Sequence, residues 1–206
     1  MKAVIFSEDA LAATDRLWAD TVAHLARKLG RVTPLDPSQV PADRGQAIRW
    51  LDAWAGDDAR SWRVEAARYF EGHVPVYVRP DAELNAALRH LQAQGMPLAA
   101  WSPGPPEAAL ILTHFLGVTR RFATQAVDPE PGAAARVAAE LGLEPEETLV
   151  VSARGSTLTE ARSAGARTAG ALWTGADREE LLAAMPALIA QTPGELLGLG
   201  LTSGRG

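Results

Sequence analysis

A chain of 206 residues with 47% hydrophobic and 22% charged side chains can bury a sizeable core. That excludes a disordered chain and suits one domain, or one domain with a small insertion. A formal net charge of -5, with no basic stripe and interleaved aromatics, gives no reason to expect a nucleic-acid partner; zero cysteines exclude disulfides, thiolate zinc sites and cysteine nucleophiles.

No apolar run is as long as a bilayer is thick, so no membrane partner is expected. The first residues, one charge and four apolar side chains, are too few for a signal peptide, and the expected address is cytoplasmic.

Lys2-Ala3-Val4-Ile5-Phe6 is a short apolar run with β-branched residues and reads as a buried strand. It ends in the polar stretch Ser7-Glu8-Asp9-Ala10, expected as a loop at the carboxyl end of a central strand. Leu11 to Leu29 has Trp18, Val22, Leu25 and Leu29 at helical spacing, and Gly30 closes it. Pro34, Pro37 and Pro41 mark a connector. Asp43 is placed to cap a helix carrying Ile48, Leu51 and Trp54, which stops at Gly56. A third helix is expected from Asp58 to Glu71, closed by Gly72. Four of the six tryptophans fall in this helical stretch, where they are expected to form its core.

Strand and helix then alternate at short spacing. Helices are expected at Ala82–Gln94, Glu107–Leu116, Gly132–Leu141, Thr159–Ala164 and Arg178–Ala184. Strands are expected at Pro97–Trp101, Phe122–Ala126, Thr148–Val151, Thr168–Leu172 and Ala187–Ala190. A last helical turn falls at Gly194–Leu199, and Ser203–Gly206 is expected to fray. Alternation of this kind predicts an α/β fold, a doubly wound parallel sheet with right-handed crossovers. The first strand joins the same sheet, so residues 1–14 and 79–206 form the core and residues 15–78 an all-helical insertion.

The chain resembles the haloacid dehalogenase (HAD) superfamily over nearly its whole length, in the phosphoglycolate-phosphatase-like branch. That resemblance implies a Rossmann-like core with a helical cap after strand 1. Ile5-Phe6-Ser7-Glu8-Asp9-Ala10-Leu11 resembles the first motif, a strand ending in Asp-x-Asp-Gly-Thr-Leu. Leu98-Ala-Ala-Trp-Ser102 resembles the second, a strand ending in Ser or Thr. Leu143 to Val151 resembles the turn and strand before the fourth motif, and Ala161 to Thr168 the segment after it.

The working residues depart from those patterns. Ser7 stands at the nucleophilic Asp and Asp9 keeps the second Asp. Asp128 stands before Pro129 where the family has Lys before Pro. The fourth motif, Gly-Asp-Ser-x-x-Asp, reads Ser152-Ala153-Arg154-Gly155-Ser156-Thr157, so Ala153 and Thr157 replace both acids. The resemblance gives Ser102 a phosphate contact; the bland reading makes it a hydrogen-bonding residue of the strand-end turn. Asp9 reads as a general acid or as a turn-capping carboxylate. Glu8 and Asp9, adjacent at a strand end, point apart and are not expected to share a metal.

Phosphoryl transfer by the family route needs a carboxylate nucleophile, a hard cation and a fixed positive charge. The expectation is therefore a HAD-like hydrolase-fold protein without the family chemistry, a pseudoenzyme with a binding or regulatory role toward a small molecule or a protein. No cofactor and no metal are expected. The alternatives are an active magnesium-dependent phosphomonoester hydrolase with a non-standard site, and a structural or dimerising partner. Arg154 is expected to replace the lost cations by pairing with Asp9 and Asp128.

Overall fold

The computed structural model describes residues 1–30 and 34–199. β1 (Ala3–Ser7) is followed by one helical turn, α1 (Glu8–Leu11), and three helices, α2 (Asp15–Leu29), α3 (Arg44–Ala55) and α4 (Ala59–Tyr77). Next come α5 (Ala82–Ala93), β2 (Leu98–Ser102), α6 (Pro106–Phe115), β3 (Thr124–Val127), α7 (Ala133–Glu140) and β4 (Thr148–Ser152). The described chain ends with α8 (Gly155–Ser163), β5 (Arg167–Ala171), α9 (Arg178–Ala183), β6 (Leu188–Ala190) and a 3-10 stretch, Pro193–Leu199. The fraying expected at Ser203–Gly206 lies outside the described residues.

The six strands form one parallel sheet in the order β3-β2-β1-β4-β5-β6. β1 is buried at every position, as a central strand covered on both faces must be. Val4 and Phe6 join the larger core cluster, which includes Trp62 and Phe70 of the helical stretch. Ile5, pointing to the other face, packs with Val137, Val150 and Ala161. Phe6 meets Phe122 with ring centroids 6.3 Å apart.

The helix starts follow the capping chemistry. The Asp43 carboxylate accepts from Gln46 N at 2.9 Å, and Asp81 accepts from Glu83 N at 2.8 Å and Leu84 N at 3.2 Å.

Some expected boundaries move. The strand-end stretch after Ser7 is a helical turn, and the long helix starts at Asp15 because Ala12 is extended (φ -162°, ψ 150°). Gly72 does not close α4, which runs on through Pro75 to Tyr77. Phe70 and Val74 are buried on either side of Gly72, and that packing outweighs a propensity penalty of about 1 kcal/mol. α8 begins at Gly155, four residues before the expected start; Gly155 N donates to Glu180 Oε1 at 2.7 Å. Among the described residues no helix is long and apolar enough to cross a membrane.

Candidate functional site at the strand ends

The chain winds outward from β1 in both directions, through β2 to β3 and from β4 to β6. The crevice between the carboxyl ends of β1 and β4 is therefore the switch point where such sheets bind ligands. Ser7 ends β1 and Ser152 ends β4, with hydroxyl oxygens 3.2 Å apart. Asp9, in α1, turns back over them. Its Oδ1 accepts from Ser7 Oγ, from Ser152 Oγ at 2.9 Å and from Ala153 N at 2.7 Å. Burial pushes the Asp9 carboxyl up, against the opposing pull of those donors and of Arg154.

Glu8 points the other way and makes a second centre. Its Oε2 accepts from Ser102 Oγ, and its Oε1 pairs with Arg44 Nη1 and accepts from Thr14 Oγ1 at 3.2 Å. Arg44 Nη2 donates to Thr14 Oγ1 at 2.7 Å, and its guanidinium lies 5.4 Å from the centroid of the Trp18 ring. Ser102 also accepts from Gly104 N at 3.0 Å, so it serves the strand-end turn and the Glu8 cluster together. Arg44 is the first residue of α3, so the helical stretch delivers a cation onto an acid of the core.

Arg154 is only half where it was expected. Its Nε lies 3.6 Å from Asp9 Oδ2, but its second partner is Asp15 at the start of α2, reached by Nη2. Asp128 does not take part. It pairs with Arg136 Nε at 2.5 Å and accepts from Glu130 N at 2.9 Å. Strand order explains this: Asp128 follows β3, three strand spacings from β4, or about 14 Å. Burial alone would raise the Asp128 carboxyl, but Arg136 and the Glu130 N–H hold it below the ordinary range.

A cavity of about 190 Å³ opens over this crevice. Ser7, Asp9, Arg154 and Thr157 wall it from the core, and Arg44 and Arg49 from the helical stretch. Arg49 donates to Pro129 O, which fastens α3 to the loop after β3. The crevice thus gathers Ser7, Asp9, Ala153 and Arg154, Ser102 joins through Glu8, Thr157 sits on the wall, and Asp128 stands apart. Glu8 and Asp9 do point apart, as their adjacency predicts, but Arg44, Asp15 and the ion pair that Glu8 makes escaped sequence reasoning. Glu8 and Arg44 are 36 positions apart and Asp15 and Arg154 are 139 apart, with no local spacing that signals either pair.

A family model for haloacid dehalogenase-like hydrolases matches residues 5–165. The chain belongs to that family. An enolase-phosphatase E1 from Sorangium cellulosum (strain So ce56) is 31% identical over 157 residues, 69% of this chain and 67% of that protein. Among solved structures, a predicted phosphoglycolate phosphatase from Haemophilus somnus 129pt aligns with TM-score 0.70 at 18% identity, over 97% of each chain. A putative beta-phosphoglucomutase from Thermotoga maritima aligns with TM-score 0.66 at 21% identity, over 97% of this chain and 98% of that one. At those identities the structural likeness speaks for the fold.

Phosphatases of the family typically use magnesium, and the residues at this crevice do not fit it. Magnesium takes oxygen ligands in near-octahedral geometry, with carboxylates supplying the charge. Among the described residues Asp9 is the carboxylate bonded to the end of β4, through Ser152 and Ala153 N; Ala153 contributes a methyl group, and the Arg154 guanidinium stands 3.6 Å from Asp9. Among the described residues no three His, Cys, Asp or Glu side chains form a set that could hold a metal ion.

Proposed function

We propose that this chain is a family member that has given up phosphoryl transfer and serves as a binding or regulatory module for a small molecule or a protein. The observation that carries this reading is the pairing of both strand-end acids. Glu8 is held by Arg44, Thr14 and Ser102, and Asp9 by Ser7, Ser152, Ala153 N and Arg154. A nucleophilic carboxylate must reach the phosphorus in line, with a cation to neutralise the developing charge.

Ser7 does not restore the chemistry. It is 1% exposed, it gives its proton to Asp9, and among the described residues no histidine lines the cavity to activate it. Loss of the nucleophile from a catalytic unit costs a factor on the order of 10⁶ in rate. A cytoplasmic setting is part of the same proposal.

The deciding measurement is hydrolysis of an aryl phosphate with and without Mg²⁺, beside an Asp9→Asn control. The expected result is no turnover above the control. Metal-dependent turnover that the substitution abolishes would overturn the proposal in favour of a working phosphomonoester hydrolase, the activity in the name of the Sorangium relative.

A further inference from the structure

We propose that Glu8 is a tethered ligand: its carboxylate fills an oxyanion seat built by Ser102, Thr14 and Arg44, and an external phosphate or carboxylate enters that seat once Glu8 is removed. The inference rests on the reading that the site no longer transfers phosphoryl groups, and it adds what occupies the site instead.

The seat is a built feature. Ser102 ends β2, Thr14 lies between α1 and α2, and Arg44 opens α3, so three separate segments converge on one carboxylate. All four residues are deeply buried: Glu8 is 5% exposed, Ser102 5%, Thr14 2% and Arg44 6%. Each donor is oriented by something other than Glu8. Gly104 N–H occupies one side of the Ser102 oxygen, which turns its proton outward as a donor. The Trp18 ring and the Thr14 hydroxyl hold the Arg44 guanidinium. A planar fork beside two hydroxyls is the donor set that recognises carboxylate and phosphate oxygens alike.

Charge points the same way. Asp9, the neighbouring acid, turns toward β4 and is balanced there by Arg154, so Arg44 and Glu8 balance each other. Asp43, beside Arg44 in sequence, spends its carboxylate on Gln46 N. With Glu8 truncated, a buried guanidinium and two oriented hydroxyls are left without their anion. An oxyanion from solution restores the lost partner, and it holds α3 against the core as Glu8 does.

The test uses the full chain as wild type, Glu8→Ala and Glu8→Gln. Thermal unfolding and calorimetry are run with inorganic phosphate, with acetate, and with chloride at matched ionic strength. Glu8→Ala is expected to be less stable than wild type in chloride. Phosphate at roughly a hundredfold above its dissociation constant is expected to raise its Tm by roughly 5–10 °C while leaving wild type unmoved. Glu8→Gln, which keeps the shape and loses the charge, is expected to gain in the same direction by less. Adding Ser102→Ala or Arg44→Gln to Glu8→Ala is expected to abolish the gain. A Glu8→Ala chain that folds in phosphate and not in chloride supports the seat outright. Variants that respond to phosphate and acetate no more than to chloride, that stay unfolded in all three, or that gain no more than wild type overturn it. None of these readouts depends on turnover, so surviving phosphatase activity would refute the proposed function without being mistaken for this result.

Discussion

Arg44 and Glu8 sit 36 positions apart, and their side chains pair across the seam between the helical stretch and the core with 7% and 6% exposed. Breaking a buried pair from one side leaves an uncompensated charge, while replacing both partners with apolar groups is often neutral. Arg44→Met is therefore expected to destabilise the fold by about 3–5 kcal/mol in denaturant unfolding. The double variant Glu8→Leu/Arg44→Met should return to within about 1 kcal/mol of wild type. Losses that simply add in the double variant would show that the two side chains do not act on each other.

Asp9 predicts a pH dependence of the less common sign. Its carboxyl is raised in the folded chain by burial, from an unfolded value of about 3.9. Its contribution is then complete below that unfolded value and is lost as pH rises through the higher folded one. Asp9→Asn keeps an acceptor oxygen and cannot ionise. Its stability relative to wild type should grow with pH from about 4 upward, at up to about 1.4 kcal/mol per unit, and level off above the folded pKa. A difference that is flat across that range would contradict a raised Asp9.

Asp128 gives the opposite sign. Burial works against its ionisation, but Arg136 and the Glu130 N–H leave it lowered. The contribution of the pair is present above about pH 4 and fades as pH falls through the depressed folded value. Because about half of the Arg136 side chain is exposed, Arg136→Ala is expected to lower stability by only about 0.2–1 kcal/mol at neutral pH. The same substitution should cost less in strong acid, where only its bonds to Pro131 O and Glu130 O remain to be lost. A carbon-detected titration of Asp128 checks the cause, since its pKa should rise in the variant.

What the sequence made legible follows from how local each feature is. The alternation from Arg79 onward, the Asp43 cap and the position of β4 are written within single segments, by apolar runs and capping residues. The site is written between segments. The Ser7, Ala153 and Thr157 replacements were readable because a motif gives each position a meaning. The partners of Glu8 and Arg154 were not, because nothing in the intervening residues encodes which helix comes back over the sheet. The expectation for Asp128 failed for want of strand order, since β2 stands between β1 and β3. Gly72 misled because a glycine in sequence announces a helix end, whereas here buried neighbours carry α4 past it.

Two glycines make the last contrast, between a close approach and open space. At Gly45, in the first turn of α3, an added Cβ would stand 2.7 Å from Pro129 O, on the loop after β3. Backbone there cannot yield as a flexible side chain would, so Gly45→Ala must lift the start of α3, and Arg44 with it, away from Glu8. A loss of about 1–3 kcal/mol is expected, with faster amide exchange in the first turn of α3. At Gly72, in the middle of α4, nothing lies within 4 Å of the added atom. Gly72→Ala removes unfolded-state entropy from a helical position and should stabilise by about 0.5–1 kcal/mol. Opposite signs from the same chemical change would tie the stability of this fold to how tightly α3 sits on the strand ends. A Gly45→Ala chain with wild-type stability and unchanged exchange would mean that the helical stretch is held elsewhere.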